Sequence, residues 1–393
     1  MPESVIISSY ARTPMGAFQG VFAALPATAL GAVAVRGAIE RAGVDGAAID
    51  RIYMGCVLSS GLGQAPARQA ALGAGLPRSV QATTINKMCG SGMQAAIMAA
   101  EALACGASDI IVAGGMESMT NAPYALPKHR SGARIGHDRV VDTMMMDGLE
   151  DAYEPGKAMG AFAEATARDY RFSRADQEAY AIESLSRAKA AIAGGAFADE
   201  IVAVAVQTRS GDGLVAEDEQ PGKARPEKIP SLKPAFAKDG TITAATSASI
   251  SDGAAALVIT RGEIAQRFGL NRAARLVATA AHAHEPGLFT TAPVFAIRKA
   301  LAKAGWSVAD VDLFEVNEAF AAVAMIAMRD LCIPHDRLNV NGGATALGHP
   351  LGASGARIIA TLIAALKARG LQRGVAALCI GGGEATAVAL ELV

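Results

Sequence analysis

The chain has 393 residues, of which 51% are hydrophobic and 19% charged, with 42 glycines and a formal net charge of −1. That is enough chain for two or three structural units around a large core, and it excludes disorder as a description of the whole. A charge this balanced leaves no electrostatic footprint for a nucleic acid or an anionic membrane, so neither is expected as a partner.

Short apolar runs alternate with alanine-rich helical patterns. Val5–Ser8 reads as a strand, Leu30–Arg41 as a helix and Arg51–Val57 as a second strand. Gln81–Ile85 is strand-like, and Gly92–Ala104 is a helix with almost no polar face, which predicts burial on all sides. Asp109–Ala113 reads as a strand closed by Gly114 and Gly115. From about 121 to 250 charge, proline and methionine rise and patterning weakens, which predicts an insertion of surface loops with some helices, Arg174–Ala193 among them. Apolar patterning returns at Ala254–Ile259, and Val311–Phe314 reads as a further strand.

The end of the chain repeats an earlier part in outline. Residues 89–118 and 351–385 each run from a Ser-Gly through an alanine-rich helix and a glycine-containing turn to a strand and a cluster of glycines. This predicts an α/β fold of two similar units related by a pseudo-twofold axis, with the two apolar helices packed at the centre.

The five cysteines, Cys56, Cys89, Cys105, Cys332 and Cys379, are odd in number and widely spaced, which argues against a disulfide framework. The first ten residues lack the basic region and apolar core of a secretory signal. No apolar run approaches the roughly 20 residues of a membrane helix. A cytoplasmic setting with free thiols is the expectation.

Cys89 lies in Asn86-Lys87-Met88-Cys89-Gly90-Ser91-Gly92, between a strand and the buried helix. A thiol at a helix N-terminus faces free N–H groups, and its pKa falls from ~8.5 into the range of roughly 3.5–7.5. A buried, inert cysteine is the competing reading. His349, between Gly348 and Pro350 in a glycine-rich loop, has little room to be a core filler and is the best general base in the chain. Cys379 precedes Gly381-Gly382-Gly383, whose exposed N–H groups suit an oxyanion hole or a phosphate. Asn317, after a strand, either caps a helix or positions a water. His282 and His284 lack a third ligand, so no metal site is expected.

Together these segments resemble the thiolase family, the acetyl-CoA C-acetyltransferase and 3-ketoacyl-CoA thiolase group. NKMCGSGMQA, NEAFA, NGGATALGHPLGASGAR and CIGGGEA resemble its four active-site segments in order, and ARTPMGAFQG, GGMESMTNAPY and the stretch around SDGAAA match as well. The resemblance covers essentially the whole chain. It implies duplicated α/β domains packed in layers (αβαβα): an N-terminal half of 1–120 plus 251–271, a loop-rich insertion of 121–250, and a C-terminal half of 272–393. It further implies that Cys89 carries the acyl group, that His349 takes its proton, and that Cys379 is the acid/base at C2 of a second acyl-CoA. Asn317 would hold a water that stabilises the enolate oxygen together with His349. The N–H groups of Cys89 and Gly381 would form a second oxyanion hole. Coenzyme A enters as substrate and product, with no other cofactor, and the implied assembly is a homotetramer joined through a loop near Lys128–Arg139.

The chain departs from many biosynthetic members in two places. Ala158-Met159-Gly160 replaces His-Met-Gly, which removes a polar contact to substrate. Thr246-Ser247-Ala248-Ser249 replaces Asn-Ala-Ser-Gly, so the pantetheine-facing serine corresponds to Ala248. Met159, Ser249, Ala319 and Phe320 are the expected lining for acyl group and pantetheine, with plain core packing the competing reading of Met159, Ala319 and Phe320. The lysines from Lys223 to Lys238 either meet the CoA phosphates or form an ordinary solvated surface, the commoner case. Decarboxylating ketoacyl synthases share the fold and a cysteine nucleophile, but use a second His or an Asn where this chain has Cys379. A catalytically silent acyl-CoA carrier and a nucleotide-binding oxidoreductase remain as readings from other classes.

Overall fold

Strand side chains alternate between two faces, and here both faces are apolar, so each strand needs a helical layer on either side. The computed structural model describes residues 4–208 and 211–393. Its main sheet has ten strands. The longer ones are β1 (Val5–Arg12), β2 (Arg51–Gly55), β3 (Gln81–Ile85), β4 (Ile110–Ser118), β5 (Ser251–Arg261), β6 (Ala274–Ala283), β7 (Leu313–Val316), β8 (Arg373–Ile380) and β9 (Glu384–Leu392). Gly16–Ala17 adds a short strand on β5.

The strand order is β7-β8-β9-β6-β1-β5-β4-β2-β3. From the central antiparallel pair β1–β6 outward, each half repeats the same pairings. β1 meets β5 and β5 meets β4 antiparallel, then β4–β2 and β2–β3 run parallel. In the second half β6–β9 and β9–β8 are antiparallel and β8–β7 is parallel. Where a counterpart of β3 would lie, Phe314 keeps only a single parallel bridge to Leu338. The chain is therefore duplicated in space as well as in sequence.

Residue alternation then sorts the layers. Ile110 and Val112 of β4 pack with Leu30, Val35 and Ala38 of α1 (Ala27–Ala42). Ile111 and Ala113, on the opposite face, pack with α2 (Ser91–Ala104) and α7 (Leu351–Arg369). Leu378 and Val388 of the second half join the same central cluster. Its outer face, through Val375 and Ala377, packs on α5 (Ala292–Ala304) and α6 (Ala321–Leu331). The result is helix, sheet, helix, sheet, helix, with α2 and α7 as the middle layer.

Two readings of the sequence are corrected here. β4 does not end at Gly114 but runs through both glycines to Ser118. A Cβ on Gly115 would stand 1.8 Å from the carbonyl oxygen of Gly352, so glycine is required because the start of α7 lies against the strand. α7, at 19 residues, is also long and apolar enough to cross a membrane by composition. Its residues from Leu351 to Leu366 are buried inside the fold, where burial of each large side chain such as Ile358 or Leu362 contributes roughly 1.5–3 kcal/mol.

The insertion between β4 and β5 carries α3 (Met159–Asp169) and α4 (Arg174–Ala193). α4 opens with a capping box in which Ser173 and Asp176 satisfy each other's backbone N–H. Apolar contacts hold the insertion to the core, with Phe162, Tyr180 and Ile242 joining the second half and Leu185 and Ala188 packing on Ala346 and Leu347, and buried polar ties add to them. Arg12 of β1, fully buried, binds Glu200 through Nε at 2.7 Å and Asp218 through Nη1 at 2.7 Å. Removing one partner from such a site leaves buried charge behind and costs about 3–5 kcal/mol. Arg12→Met is therefore expected to lower the stability of the fold by that amount, read as a lower urea midpoint at an unchanged denaturant slope.

Candidate active site

The duplication sets Cys89 and His349 in equivalent places. Cys89 precedes α2 by two residues, and His349 precedes α7 by two. The two helices meet almost backbone to backbone: a Cβ on Gly355 would fall 2.2 Å from the amide nitrogen of Met93. Their N-terminal ends therefore deliver Cys89 and His349 to one place. Asn317 directly follows β7, and Cys379 and Gly381 flank the end of the neighbouring parallel strand β8. The Asn317 N–H donates to Ala377 O at 3.0 Å, which holds these two strand ends together.

A cavity of about 430 Å³ opens at this junction, and its walls are mostly apolar. Cys89, His349, Cys379 and Gly381 line it, as do Met159, Ser249, Ala319 and Phe320. Asn317 lies behind the wall, 1% exposed, with Nδ2 3.4 Å from both ring nitrogens of His349. It does not cap a helix, since α6 begins four residues later with Phe320 in the cap position.

The Cys89 loop is held stiffly. Met88 adopts φ 46°, a left-handed conformation uncommon for a residue with a side chain. Asn86 Oδ1 accepts the Met88 N–H at 3.0 Å, and Ser91 Oγ donates to Met88 O at 2.6 Å. On the opposite wall, Gly382 and Gly383 turn the chain from β8 into β9 at φ 90° and 84°. That conformation, and the contact a Cβ on Gly383 would make with His284 O at 2.4 Å, account for two of the three glycines without a phosphate.

His349 is 6% exposed and fixed on two sides. Its backbone N–H donates to Ser249 O at 3.2 Å, so Ser249 both lines the cavity and seats the histidine. Its Nδ1 lies 2.6 Å from Ser354 Oγ, whose own proton goes to Pro350 O at 2.9 Å. Nδ1 is thus the protonated nitrogen, and Nε2 is left as the acceptor. Burial, with the charge of Arg357 adding to it, pushes the His349 pKa down to about 3.

The thiols are not standing thiolates. Burial pushes Cys89 up to about 11, opposed by hydrogen bonds from the N–H groups of Gly381 and of Cys89 itself. The helix-terminus argument predicted a lowered pKa, but loss of solvation outweighs the two N–H groups. Cys379 is raised well above its ordinary range by burial and by the neighbouring Cys89. The resting site holds two thiols beside a neutral imidazole, with two backbone N–H groups aimed at the Cys89 sulfur.

Ser354, within the NGGATALGHPLGASGAR segment, is a site residue that the linear sequence marks only weakly. A lone serine in an otherwise apolar buried turn was the available signal, because a buried hydroxyl needs a partner. Met145, Leu149, Phe236 and Phe289 also line the cavity. Nothing in their local sequence separates them from ordinary core residues. His282 and His284 meet edge to face at 5.0 Å, and among the described residues no group of three metal-binding side chains comes together.

Comparison with known proteins agrees with this geometry. The family model for the N-terminal domain of thiolase matches residues 4–263, and that for the C-terminal domain matches 270–392. The chain belongs to the thiolase family. It is 49% identical to acetyl-CoA acetyltransferase 2 of Arabidopsis thaliana over 100% of this chain and 98% of that one. It is 47% identical to acetyl-CoA acetyltransferase of Schizosaccharomyces pombe over 99% of each. The crystal structure of Acat5 thiolase from Ascaris suum in complex with coenzyme A superposes with a TM-score of 0.94 at 43% identity, covering 100% of both chains.

Because this thiolase keeps Cys89 protonated at rest, the alkylation rate of Cys89 by iodoacetamide should climb about tenfold per pH unit through pH 9 and on toward 11. A plateau reached by pH 8, measured on the Cys89 peptide by mass spectrometry, would contradict a raised pKa.

Proposed function

We propose that this thiolase is an acetyl-CoA C-acetyltransferase, joining two acetyl-CoA into acetoacetyl-CoA and CoA and running the reverse thiolysis. The observation that carries the reading is the convergence of two cysteines, one neutral histidine and the N–H groups of Cys89 and Gly381 on one water-poor cavity. In the first half-reaction Cys89 Sγ attacks the thioester carbonyl while Nε2 of His349 takes its proton. The CoA thiolate leaves and receives that proton. The two N–H groups hold the carbonyl oxygen as it gains charge, and one such donor contributes about 3–4 kcal/mol in a site that excludes water. In the second half-reaction Cys379 first passes its proton to Nε2 of His349, and the resulting thiolate takes a proton from C2 of the incoming acetyl-CoA. Asn317 holds a water that donates to the enolate oxygen, as does the Nε2–H of His349. The C2 carbanion attacks the acyl carbonyl, the C–S bond to Cys89 breaks, and the departing Cys89 thiolate takes the proton from His349. Two thiols divide the work, one storing acyl and one moving a proton.

The nucleotide end of CoA is assigned to an adjoining cavity of about 370 Å³. It shares Ala244 and Ser249 with the catalytic cavity and is lined by Lys223, Arg225 and Lys228. The apolar walls formed by Met159, Phe236 and Phe320 also support turnover of longer 3-ketoacyl-CoAs, which a thiolysis series of increasing chain length measures directly. A cytoplasmic homotetramer, as a dimer of dimers, is the assembly we propose. Ile135, 97% exposed, and Val140, 60% exposed, give the loop around residues 128–139 apolar surface suited to such a contact.

Incubation with acetyl-CoA should leave an acetyl group on Cys89. Cys379→Ala should keep that adduct while condensation falls by about 10²–10⁴-fold, the usual worth of a positioned acid/base. His349→Ala should slow both steps. Equal loss of acylation and condensation in Cys379→Ala would break the assigned division of labour. Shortening the loop at 128–139 should leave dimers in sedimentation, and unchanged tetramers would refute its role in assembly.

A further inference from the structure

Behind the cavity wall, Asn317 is gripped by a residue that has no part in the scheme above. Arg357 lies on the second turn of α7 and is 1% exposed. Its Nη2 donates to Asn317 Oδ1 at 3.4 Å. Its Nη1 lies 3.7 Å from Oε2 of Glu315, a residue of β7 that is 2% exposed. The Asn317 amide is thus enclosed, with the guanidinium on one side and the His349 ring on the other.

The chemistry of these neighbours decides which way the amide points. A guanidinium carries five donors and no acceptor, so only the amide oxygen can face it. A flipped amide would set NH₂ against the guanidinium and lose the bond. With Oδ1 on Arg357, Nδ2 is directed at the His349 ring. Ser354, three residues earlier on the same face of α7, takes the Nδ1 proton of His349. One helix face therefore orients both polar groups of the enolate site. Glu315 faces the buried guanidinium, and burial pushes that carboxyl up to about 8, with the charge of Arg357 opposing the rise.

We propose that Arg357 is a positioning residue for the carbon–carbon bond step: its guanidinium, seated beside Glu315, locks the Asn317 amide with Nδ2 toward His349 and the cavity. The inference rests on the functional reading above. The hydrogen bond of Arg357 goes to Asn317, so removal of Arg357 falls mainly on the second half-reaction, while its charge, the smaller of the two causes that lower the His349 pKa, touches the first only weakly.

The test uses the full-length enzyme with R357K, R357M and the double variant E315M/R357M. The double variant removes both members of the buried pair together, a replacement that is often neutral or stabilising for a fold. Four quantities are read: Cys89 acetylation by acetyl-CoA, loss of deuterium from C2 of acetyl-CoA to solvent, and kcat and KM for condensation. In R357M and the double variant, acetylation and KM should stay within about threefold of the parent while kcat and C2 exchange fall by about 10²-fold, the scale of one oxyanion donor. R357K, which keeps the charge without the planar fork, should fall between. N317A should cost nothing further in the R357M background, because the two act as a unit. Parental kcat in the double variant, additive losses with N317A, or acetylation falling in step with condensation would overturn the proposal. No acetylation of Cys89 in the parent enzyme would instead sink the functional reading, and this inference with it.

Discussion

The site depends on the near-contact of two buried helices. α2 and α7 carry small residues where they meet, and Gly355 lies against the Met93 backbone. Larger residues would move the axes apart toward the usual 8–10 Å, and the loops at their N-termini would separate with them. Gly115 allows the same approach on the sheet side, where β4 touches the Gly352 carbonyl. Cys89 and His349 are then placed by backbone geometry, which side-chain motion does not disturb. This explains why so much glycine and alanine is spent at the centre of the molecule, where large apolar side chains would bury more area.

A second balance is electrostatic. Burial against mostly apolar walls raises both thiols and keeps His349 neutral. The same desolvation that makes a standing thiolate costly strengthens every hydrogen bond made to charge that develops during reaction. The N–H groups of Cys89 and Gly381 are the fixed dipoles that meet this charge. Cys89 is therefore held as a thiol, and in the proposed reaction its proton moves when a thioester carbonyl stands ready to accept the sulfur.

Behind these groups lies a layer of buried polar contacts. Glu318 receives Tyr180 and Ser184 from α4, the Asn339 amide and the Thr345 hydroxyl. Glu117 accepts N–H groups from Val57, Leu58 and Gly352, tying the first half to the start of α7. Arg12 fastens the insertion through Glu200 and Asp218. Each contact joins segments far apart in sequence. Each is also exacting, since an unpaired member would remain buried.

By itself the sequence determined the α/β class, the duplication and the buried character of the two central helices, and it pointed to the Cys89 segment as the candidate nucleophile. Those features are local: apolar periodicity, repeated order and unusual glycine context survive in a linear reading. It also marked Cys89, His349, Cys379 and Gly381, because reactive groups beside glycine are conspicuous. Tertiary structure decided what depends on distant neighbours. It made Gly114 and Gly115 part of a strand crossed closely by a helix, raised the Cys89 pKa against the helix-end argument, and selected the His349 tautomer through Ser354. It also brought Arg12, Glu200 and Asp218 together from three separate segments, which explains why the insertion looked weakly patterned: ion pairs and hydrogen bonds leave no periodicity. Desolvation and long-range polar pairing are properties of enclosure, and enclosure exists only once the layers have closed.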